Sequence, residues 1–145
     1  MRGVPARRRA RHFGLDYNYE QRAHVAEAEP LPPWLMPLRQ RCAALAGVGA
    51  EELVEVLVQR YPEGATIGWH RDAPSFGVVV GVSLGSSARL RFRRGSKGRW
   101  TTWEVDLPPR SAYVLAGEAR TKWQHSIPPT KALRYSITFR TLKAR

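Results

Sequence analysis

From residue 53 to its C-terminus, the sequence is a succession of short runs of β-branched and apolar residues, separated by turns that contain glycine or proline. Such runs at regular spacing are typical of the short antiparallel strands of a β-sandwich or an open barrel. We therefore expect a mainly β fold that forms one domain over residues 12–145. The predicted strands span residues 53–61, 67–72, 78–84, 88–94, 100–107, 111–115 and 133–141.

The segment before residue 53 predicts a basic arm, one strand and one helix. Residues 1–11 carry five arginines and little apolar material, which indicates an arm outside the folded domain. Residues 12–19 alternate enough for a strand, and residues 20–33 predict a loop rich in Glu, Ala and Pro. A helix is expected to begin at Pro33, a residue type suited to a first turn, and to end before a pair of glycines. Its apolar residues at helical spacing are Trp34, Leu35, Leu38, Cys42 and Leu45.

The charge of the chain is strongly unbalanced. Lysine and arginine total 24 against 12 acidic residues, which gives a net charge of +12 and an isoelectric point near 11. Such a chain is attracted to polyanions, and the phosphate backbone of nucleic acid is the commonest of these. A basic protein from an arginine-rich proteome would have the same balance without binding nucleic acid. Charge alone therefore supports DNA or RNA as a partner without establishing it.

The sequence argues against a membrane-spanning chain and against a secreted one. No stretch reaches the roughly 20 apolar residues that a membrane helix needs, and no apolar run follows the basic N-terminus as in a secretory signal. The single cysteine, Cys42, excludes an internal disulfide and a multi-cysteine zinc site, and it is expected to be a buried helix residue. We expect a monomer in the cytoplasm, in a bacterial-type cytosol or nucleoid.

Two of the four histidines lie where a metal site could form. Side chains two residues apart on a strand share a face, so His70 and Asp72 point together while Trp69 and Arg71 point away. His125 lies on a later segment that could return beside the first. Two histidines and one carboxylate are the facial triad of non-haem iron(II) oxygenases. An H-x-D triplet also arises often by chance, in which case these are ordinary surface and loop residues.

The last predicted strand has a polar and an apolar face. The period of two points Tyr135, Ile137 and Phe139 to the core, and it places two arginines about 20 Å apart on the opposite face. If the strand lines a cavity, a dicarboxylate can use both: one guanidinium holds one carboxylate in a bidentate ion pair, and the second lies near the metal end. A solvated edge strand is the alternative interpretation. The polar face carries Arg134, Ser136, Thr138 and Arg140, and an earlier strand presents Gln59 and Tyr61, which can also donate to a carboxylate.

In this order and spacing, the motifs resemble those of the AlkB family of iron(II)- and 2-oxoglutarate-dependent dioxygenases. The resemblance covers residues 12–142, nearly the whole chain. Three short stretches between the motifs are also similar to the family. The matching motifs are Gln59-x-Tyr61, His70-x-Asp72, His125 and Arg134-x-Ser136-x-Thr138-x-Arg140, and the stretches are Tyr61-Pro62-Glu63-Gly64, Val82-Ser83-Leu84-Gly85 and Gly117-Glu118-Ala119-Arg120.

The resemblance implies a double-stranded β-helix, or jelly roll, with one or two flanking N-terminal helices. It implies that Fe(II) is held by His70, Asp72 and His125, and that 2-oxoglutarate and O₂ are the cosubstrates. The implied activity is the oxidative dealkylation of bases in DNA or RNA, with succinate and an aldehyde as products. By position, Arg134 would pair with the distal carboxylate of 2-oxoglutarate, helped by Tyr61, and Arg140 would lie near the carboxylate that chelates iron, among Gln59, Ser136 and Thr138.

The sequence departs from the family at three places. Gln59 and Ser136 stand where better-studied members carry asparagine, and both keep the ability to form hydrogen bonds. Pro74 follows the triad where DNA-repair members use an acidic residue that reads the damaged base, so the identity of the base is open. The segment that matches the family's base-clamping lid is also short. Tyr17, Tyr19 and Trp69 are candidates for stacking on an extruded base, or else core aromatic residues.

A hairpin over residues 88–103 is the predicted nucleic-acid-binding surface. Arg89, Arg91 and Arg93 share one face of its first strand, and this stretch contains no acidic residue. Such a stripe can follow phosphates without reading sequence, although an ordinary solvated strand would look similar. The turn adds Arg94, Lys97 and Arg99.

Three functions remain open at this point. The first is a nucleic-acid dealkylase, and the second is a 2-oxoglutarate-dependent hydroxylase of a protein or small molecule. The third is a non-catalytic nucleic-acid-binding module with a relic site, which an intact triad and both arginines disfavour.

Overall fold

Two antiparallel sheets carry most of the chain in the computed structural model, which describes residues 7–18, 23–27 and 29–143 and the side chains of residues 7–14 and 29–143. The larger sheet has the strand order β2-β1-β3-β10-β5-β8, and the smaller has β4-β9-β6-β7. From β3 onward the chain alternates between the sheets except at the β6–β7 hairpin, which lies in the smaller sheet, so the arrangement is consistent with the jelly roll that the family resemblance implied. The strands are β1 (Arg9–Asn18), β2 (Ala23–Glu27), β3 (Leu53–Tyr61), β4 (Ile67–His70), β5 (Phe76–Leu84), β6 (Ala88–Ser96), β7 (Arg99–Leu107), β8 (Ser111–Leu115), β9 (Gln124–Ile127) and β10 (Arg134–Leu142).

The predicted helix is α1 (Met36–Ala46), preceded by a 3-10 turn at Pro33–Leu35. It ends at Gly47, whose φ of 74° is a left-handed conformation that glycine adopts without strain. Leu35 and Cys42 are buried against the larger sheet, whereas Trp34 and Leu45 are exposed. The remaining short helices are a 3-10 turn at Ala50–Glu52 and α2 (Glu118–Thr121).

The N-terminal segment differs from its prediction at two places. Residues 23–27, predicted as loop, form β2 at the edge of the larger sheet, where they pair with β1. Alanine and glutamate have weak strand preferences, so this strand arises from pairing with a neighbour rather than from local sequence. The first strand also begins at Arg9, within the predicted arm, and pairs with Arg60 of β3. Residues 1–6 lie outside the described part of the chain.

Two apolar clusters hold the layers together and orient β10 between them. One cluster packs α1 on the outer face of the larger sheet, where Leu35 and Phe139 are fully buried together with Val56 and Val80. The other cluster lies between the sheets and contains residues from both of them, including Leu90. Burial of a large apolar side chain stabilises the fold by about 1.5–3 kcal/mol. Because Ile137 and Phe139 face α1, the polar residues of β10 must face the space between the sheets.

No helix among the described residues is long and apolar enough to cross a membrane.

Candidate active site

The polar face of β10 lines a cavity of about 310 Å³ between the two sheets. In the sheet register, Arg134 pairs with Tyr61 and Ser136 pairs with Gln59. The polar residues of β3 and β10 are therefore direct neighbours on one face of the sheet. The walls of this cavity include every residue that the sequence assigned to the metal and to 2-oxoglutarate: Gln59, Tyr61, His70, Asp72, His125, Arg134, Ser136, Thr138 and Arg140.

The three triad residues converge at one end of this cavity. His70 ends β4 and pairs directly with His125 at the start of β9, while Asp72 follows two residues after β4. Oδ1 of Asp72 lies 3.4 Å from Nε2 of His70 and 3.5 Å from Nε2 of His125. One ligand atom from each residue falls within 4.8 Å of the others. Donor atoms this close together can coordinate a single ion.

Hydrogen bonds orient two of these ligands. Nδ1 of His70 lies 2.8 Å from the carbonyl oxygen of Gly68. A carbonyl only accepts, so Nδ1 must carry the proton, and Nε2 presents its lone pair toward Asp72. Nε of Arg140 donates to Oδ2 of Asp72 over 2.7 Å, which leaves Oδ1 facing both histidines.

The environment favours the protonation states that metal binding requires. Burial acts to raise the pKa of Asp72, but the adjacent Arg140 guanidinium opposes it, and the pKa lies well below its usual range. Burial and the neighbouring His70 lower the pKa of His125 to about 4. At neutral pH this site therefore offers an ionised carboxylate and a neutral imidazole from His125. Two histidines and one carboxylate form the donor set that suits non-haem iron(II) and leaves positions open for other ligands.

Arg134 is the clearest indication of an anionic ligand. Its side chain is fully buried, with Nε donating to Oγ of Ser83 over 2.9 Å and the guanidinium 4.8 Å from the centre of the Tyr61 ring. Nη1 and Nη2 have no hydrogen-bond partner among the residues that the structure describes. A buried guanidinium is costly without an acceptor, and a ligand carboxylate can accept from both nitrogens at once. The residues present therefore fit 2-oxoglutarate.

A hydrogen-bonded group lies beside Arg134 on the same wall. Oε1 of Gln59 accepts from the Tyr61 hydroxyl over 3.1 Å and from Oγ of Ser136 over 3.4 Å. Both residues that depart from the family's asparagines thus contribute to one network at the cavity. These contacts hold Gln59 and Tyr61 in place next to the Arg134 guanidinium.

Sequence reasoning assigned no role to four residues around this site. Ser83 binds Arg134, and Glu55 binds Arg140. Arg120 donates to the carbonyl oxygens of Ala73, Phe76 and Gly77, which anchors the loop after Asp72. Tyr113 lines the cavity, and burial raises the pKa of its hydroxyl to about 12. Glu55 could have been noticed in the sequence, because it is a lone acidic residue among the apolar residues of a predicted strand. The other three residues gave no such signal, because their contacts depend on which strands become neighbours.

A larger cavity of about 930 Å³ lies next to the site and shares Asp72 with it. It contains neither histidine of the triad and neither arginine of β10, so its size does not make it the site of chemistry. Its lining includes Pro74, Arg120 and Lys143.

The arginines of the β6–β7 hairpin alternate with buried Leu90 and Phe92 as predicted, but most of them have partners within the chain. Arg89 forms ion pairs with Glu104 and Asp106 of β7, which neutralise it. The guanidinium of Arg93 lies between two rings, 4.5 Å from the centre of Trp69 and 4.0 Å from that of Trp100. Arg94 pairs with Glu118, while Arg91 stacks over Trp69, and Lys97 and Arg99 are exposed at the turn.

Trp69 is stacked by these arginines and is not among the residues that line the smaller cavity. Contact of Trp69 with an extruded base stays a prediction. The side chain of Tyr17 and the whole of Tyr19, also considered for stacking, lie outside the described residues.

Comparison with known proteins identifies the class. A family model described as the 2OG-Fe(II) oxygenase superfamily matches residues 4–140, and the chain belongs to this family. It is 29% identical over 149 residues to an alkylated DNA repair protein ALKBH8 homolog of Arabidopsis thaliana. It is also 30% identical over 132 residues to the mouse tRNA (carboxymethyluridine(34)-5-O)-methyltransferase ALKBH8. Both of these relatives are AlkB homologues by name, which supports an AlkB-type oxygenase within the superfamily.

The chain aligns with only part of each relative. The alignments cover 87% and 86% of this chain but 43% of the plant protein and 19% of the mouse protein. A third relative, the uncharacterized protein L905 of Acanthamoeba polyphaga mimivirus, is 32% identical over 101 residues, which is 61% of this chain and 48% of that protein.

Proposed function

We propose that this dioxygenase removes alkyl groups oxidatively from bases in nucleic acid. Its metal ligands would be His70, Asp72 and His125, and Arg134 would hold the distal carboxylate of 2-oxoglutarate. The observation that carries the catalytic part is the buried Arg134 guanidinium, whose two terminal nitrogens have no hydrogen-bond partner among the described residues and lie in the same cavity as the triad. The nucleic-acid part is supported by the net charge of +12 and by relatives whose names refer to alkylated DNA repair and to tRNA.

In this proposal the protein binds and orients the reactants. When bound, iron would let O₂ oxidise both molecules: one oxygen atom would convert 2-oxoglutarate to succinate and CO₂, and the other would hydroxylate the alkyl carbon on the base nitrogen, which would then leave as an aldehyde. Arg134 and Tyr61 hold one end of the cosubstrate, and Arg140 lies near its other end. Asp72 presents Oδ1 between the two histidines, and the walls of β3 and β10 limit the access of water.

The nucleic-acid surface is proposed to be the β6–β7 hairpin. Of its predicted contact residues, Arg91, Lys97 and Arg99 have no acidic side-chain partner among the described residues, so they are the best candidates for phosphate contacts. Trp100 is partly exposed beside Arg93 and offers a ring on which a base can stack. Pro74 offers no side-chain hydrogen bond at the family's base-reading position, so we propose no single base as the substrate.

Succinate formation tests the catalytic part of the proposal. The protein is incubated with Fe(II), 2-oxoglutarate, ascorbate and a panel of alkylated DNA and RNA oligonucleotides, and product masses are measured beside succinate. We expect one alkylated oligonucleotide to raise succinate formation and to lose the mass of its alkyl group. The His125→Ala protein should neither form succinate nor change the mass of the oligonucleotide. Succinate that is independent of every nucleic acid would favour the alternative, hydroxylation of a protein or small molecule. If the parent protein forms no more succinate than the His125→Ala protein, the proposed dioxygenase activity is refuted.

Charge reversal tests the surface. A protein with Arg91, Lys97 and Arg99 changed to Glu is compared with a control of the same net charge, in which Arg41, Arg60 and Lys131 are changed to Glu. We expect only the first to bind single-stranded oligonucleotide more weakly. Loss of three phosphate contacts should also reduce the slope of log affinity against log salt by about 2–3. Equal weakening of both proteins would show that binding depends on net charge and not on the hairpin.

A further inference from the structure

A buried carboxylate lies behind the proposed metal site and has no part in the functions described above. Glu55 on β3 is 3% exposed, in a strand whose neighbours Val54 and Val56 are apolar. Burying an ionised carboxylate is costly unless it is paired and hydrogen-bonded. Glu55 pairs with Arg140, directly opposite in the sheet, whose Nη1 donates to Oε1 over 2.8 Å, and Nδ1 of His12 lies 3.7 Å from its Oε2.

Arg140 therefore bridges two carboxylates. One edge of its guanidinium holds Glu55, while Nε holds Oδ2 of Asp72 over 2.7 Å. With Oδ2 directed to Arg140, Oδ1 is the Asp72 oxygen that faces the two histidines. Arg140 thus orients the metal ligand Asp72, and Glu55 is the second carboxylate that pairs with the positive charge of Arg140.

Glu55 is one of few buried anions near the proposed metal site. Among the described residues of the larger sheet, the triad loop and α2, the buried cations are Arg134, Arg140 and Arg120, and the buried carboxylates are Glu55 and Asp72. Loss of the Glu55 charge would therefore make this region more positive by one unit, with or without a metal and a cosubstrate.

We propose that Glu55 is a positioning residue that sets the charge of the metal site by sharing Arg140 with Asp72. Removal of its charge leaves Arg140 with Asp72 as its one carboxylate, which weakens Asp72 as a donor and opposes a cation. The same excess positive charge favours a dianion. Metal affinity and 2-oxoglutarate affinity should therefore move in opposite directions, whereas a loss of folding would lower both.

Two variants separate charge from contact. Glu55→Gln keeps a carbonyl oxygen that can accept from Arg140 but removes the charge. Glu55→Asp keeps the charge but is one methylene shorter, which weakens the contact. Glu63→Gln, in the exposed turn after β3, is the matched control for net charge. Affinity for Mn(II), a redox-stable stand-in for Fe(II), is measured by calorimetry on the metal-free chain, followed by 2-oxoglutarate affinity on the Mn(II)-saturated chain, with circular dichroism as a fold check.

We expect Glu55→Gln to bind Mn(II) about tenfold more weakly, equivalent to about 1.4 kcal/mol, and to bind 2-oxoglutarate more tightly. Glu55→Asp and Glu63→Gln should stay within about threefold of the parent protein for Mn(II), by the same scale. An unchanged Mn(II) affinity in Glu55→Gln, or a parallel fall in both affinities, would overturn the proposal. So would a tenfold loss in Glu55→Asp, which decides the matter if Glu55→Gln does not fold.

This inference rests on the proposed roles of the triad but not on nucleic acid as the substrate. The titrations contain no nucleic acid, so failure of every oligonucleotide in the succinate assay leaves them interpretable. A parent protein that does not bind Mn(II) would instead refute the metal site itself.

Discussion

Replacement of Arg134 by methionine tests the assignment of the cosubstrate site. The change removes a fully buried guanidinium whose Nη1 and Nη2 have no partner among the described residues, and it keeps an unbranched apolar side chain in its place. If these nitrogens hold a carboxylate of 2-oxoglutarate, the variant loses two charge-assisted hydrogen bonds. Each contributes about 1.5–3 kcal/mol, or roughly 3–6 kcal/mol together. The Kd for 2-oxoglutarate should therefore rise by a factor of about 10²–10⁴.

The same change should leave the ligand-free fold intact. It removes the hydrogen bond from Nε to Ser83, but it also removes two buried donors without partners, and these effects oppose each other. We therefore expect a melting temperature close to that of the parent without 2-oxoglutarate, and no rise when it is added. Arg134→Lys keeps the charge but lacks the planar fork, so its affinity should fall between the two proteins.

Calorimetric titration of 2-oxoglutarate into the Mn(II)-loaded proteins measures the affinity, and thermal melting with and without 2-oxoglutarate measures the coupling to stability. Arg60→Met is the matched control, because Arg60 lies on the neighbouring strand β3 but is exposed. An Arg134→Met protein that binds 2-oxoglutarate within a few-fold of the parent would refute the assignment. A large fall in its ligand-free melting temperature, with no selective loss of binding, would show that Arg134 is structural.

Three further predictions concern stability. Because burial and the neighbouring His70 lower the pKa of His125 to about 4 from 6.5, the unfolded metal-free chain takes up a proton that the folded chain does not. The free energy of unfolding should thus fall as pH drops from about 6.5 to 4, by at most roughly 3 kcal/mol from this group. Urea titrations across this range should show that the free energy of unfolding of His125→Gln depends less steeply on pH, and an equal dependence on pH in both proteins would contradict the assignment. A Cβ at Gly81 would overlap the Tyr113 ring, so Gly81→Ala should destabilise the protein by about 1–3 kcal/mol, and Tyr113→Ala should remove most of that cost in a double-mutant cycle. Phe139→Ala should cost about 3–5 kcal/mol in chemical denaturation, because its side chain is fully buried under α1; a cost under about 1 kcal/mol would show that this core is loosely packed.

Much of the fold and the candidate site was predictable because it depends on local periodicity. Alternation in residues 134–140 separates Phe139 from Arg134 and Arg140, and the structure confirms that these residues face opposite sides. Tyr135, predicted in the core with Phe139, is instead exposed near the start of β10. His70 and Asp72 do come together, but not through the strand alternation that predicted it: β4 ends at His70, and Asp72 reaches the site from the loop that follows. Strand β2 was missed because its alanines and glutamate carry little local signal, and it forms by pairing with β1.

Partners that lie far apart in the chain were decided by the tertiary structure alone. The pairing of His70 with His125, and of Glu55 with Arg140 across 85 residues, follows from strand register. Register also places Glu104 opposite the arginine stripe of β6, which the sequence of β6 alone presents as uniformly basic. Side-chain direction within a strand is set by neighbouring residues, so the sequence determines it directly. Which strands become neighbours depends on how the two apolar clusters pack, and that is a property of the whole chain.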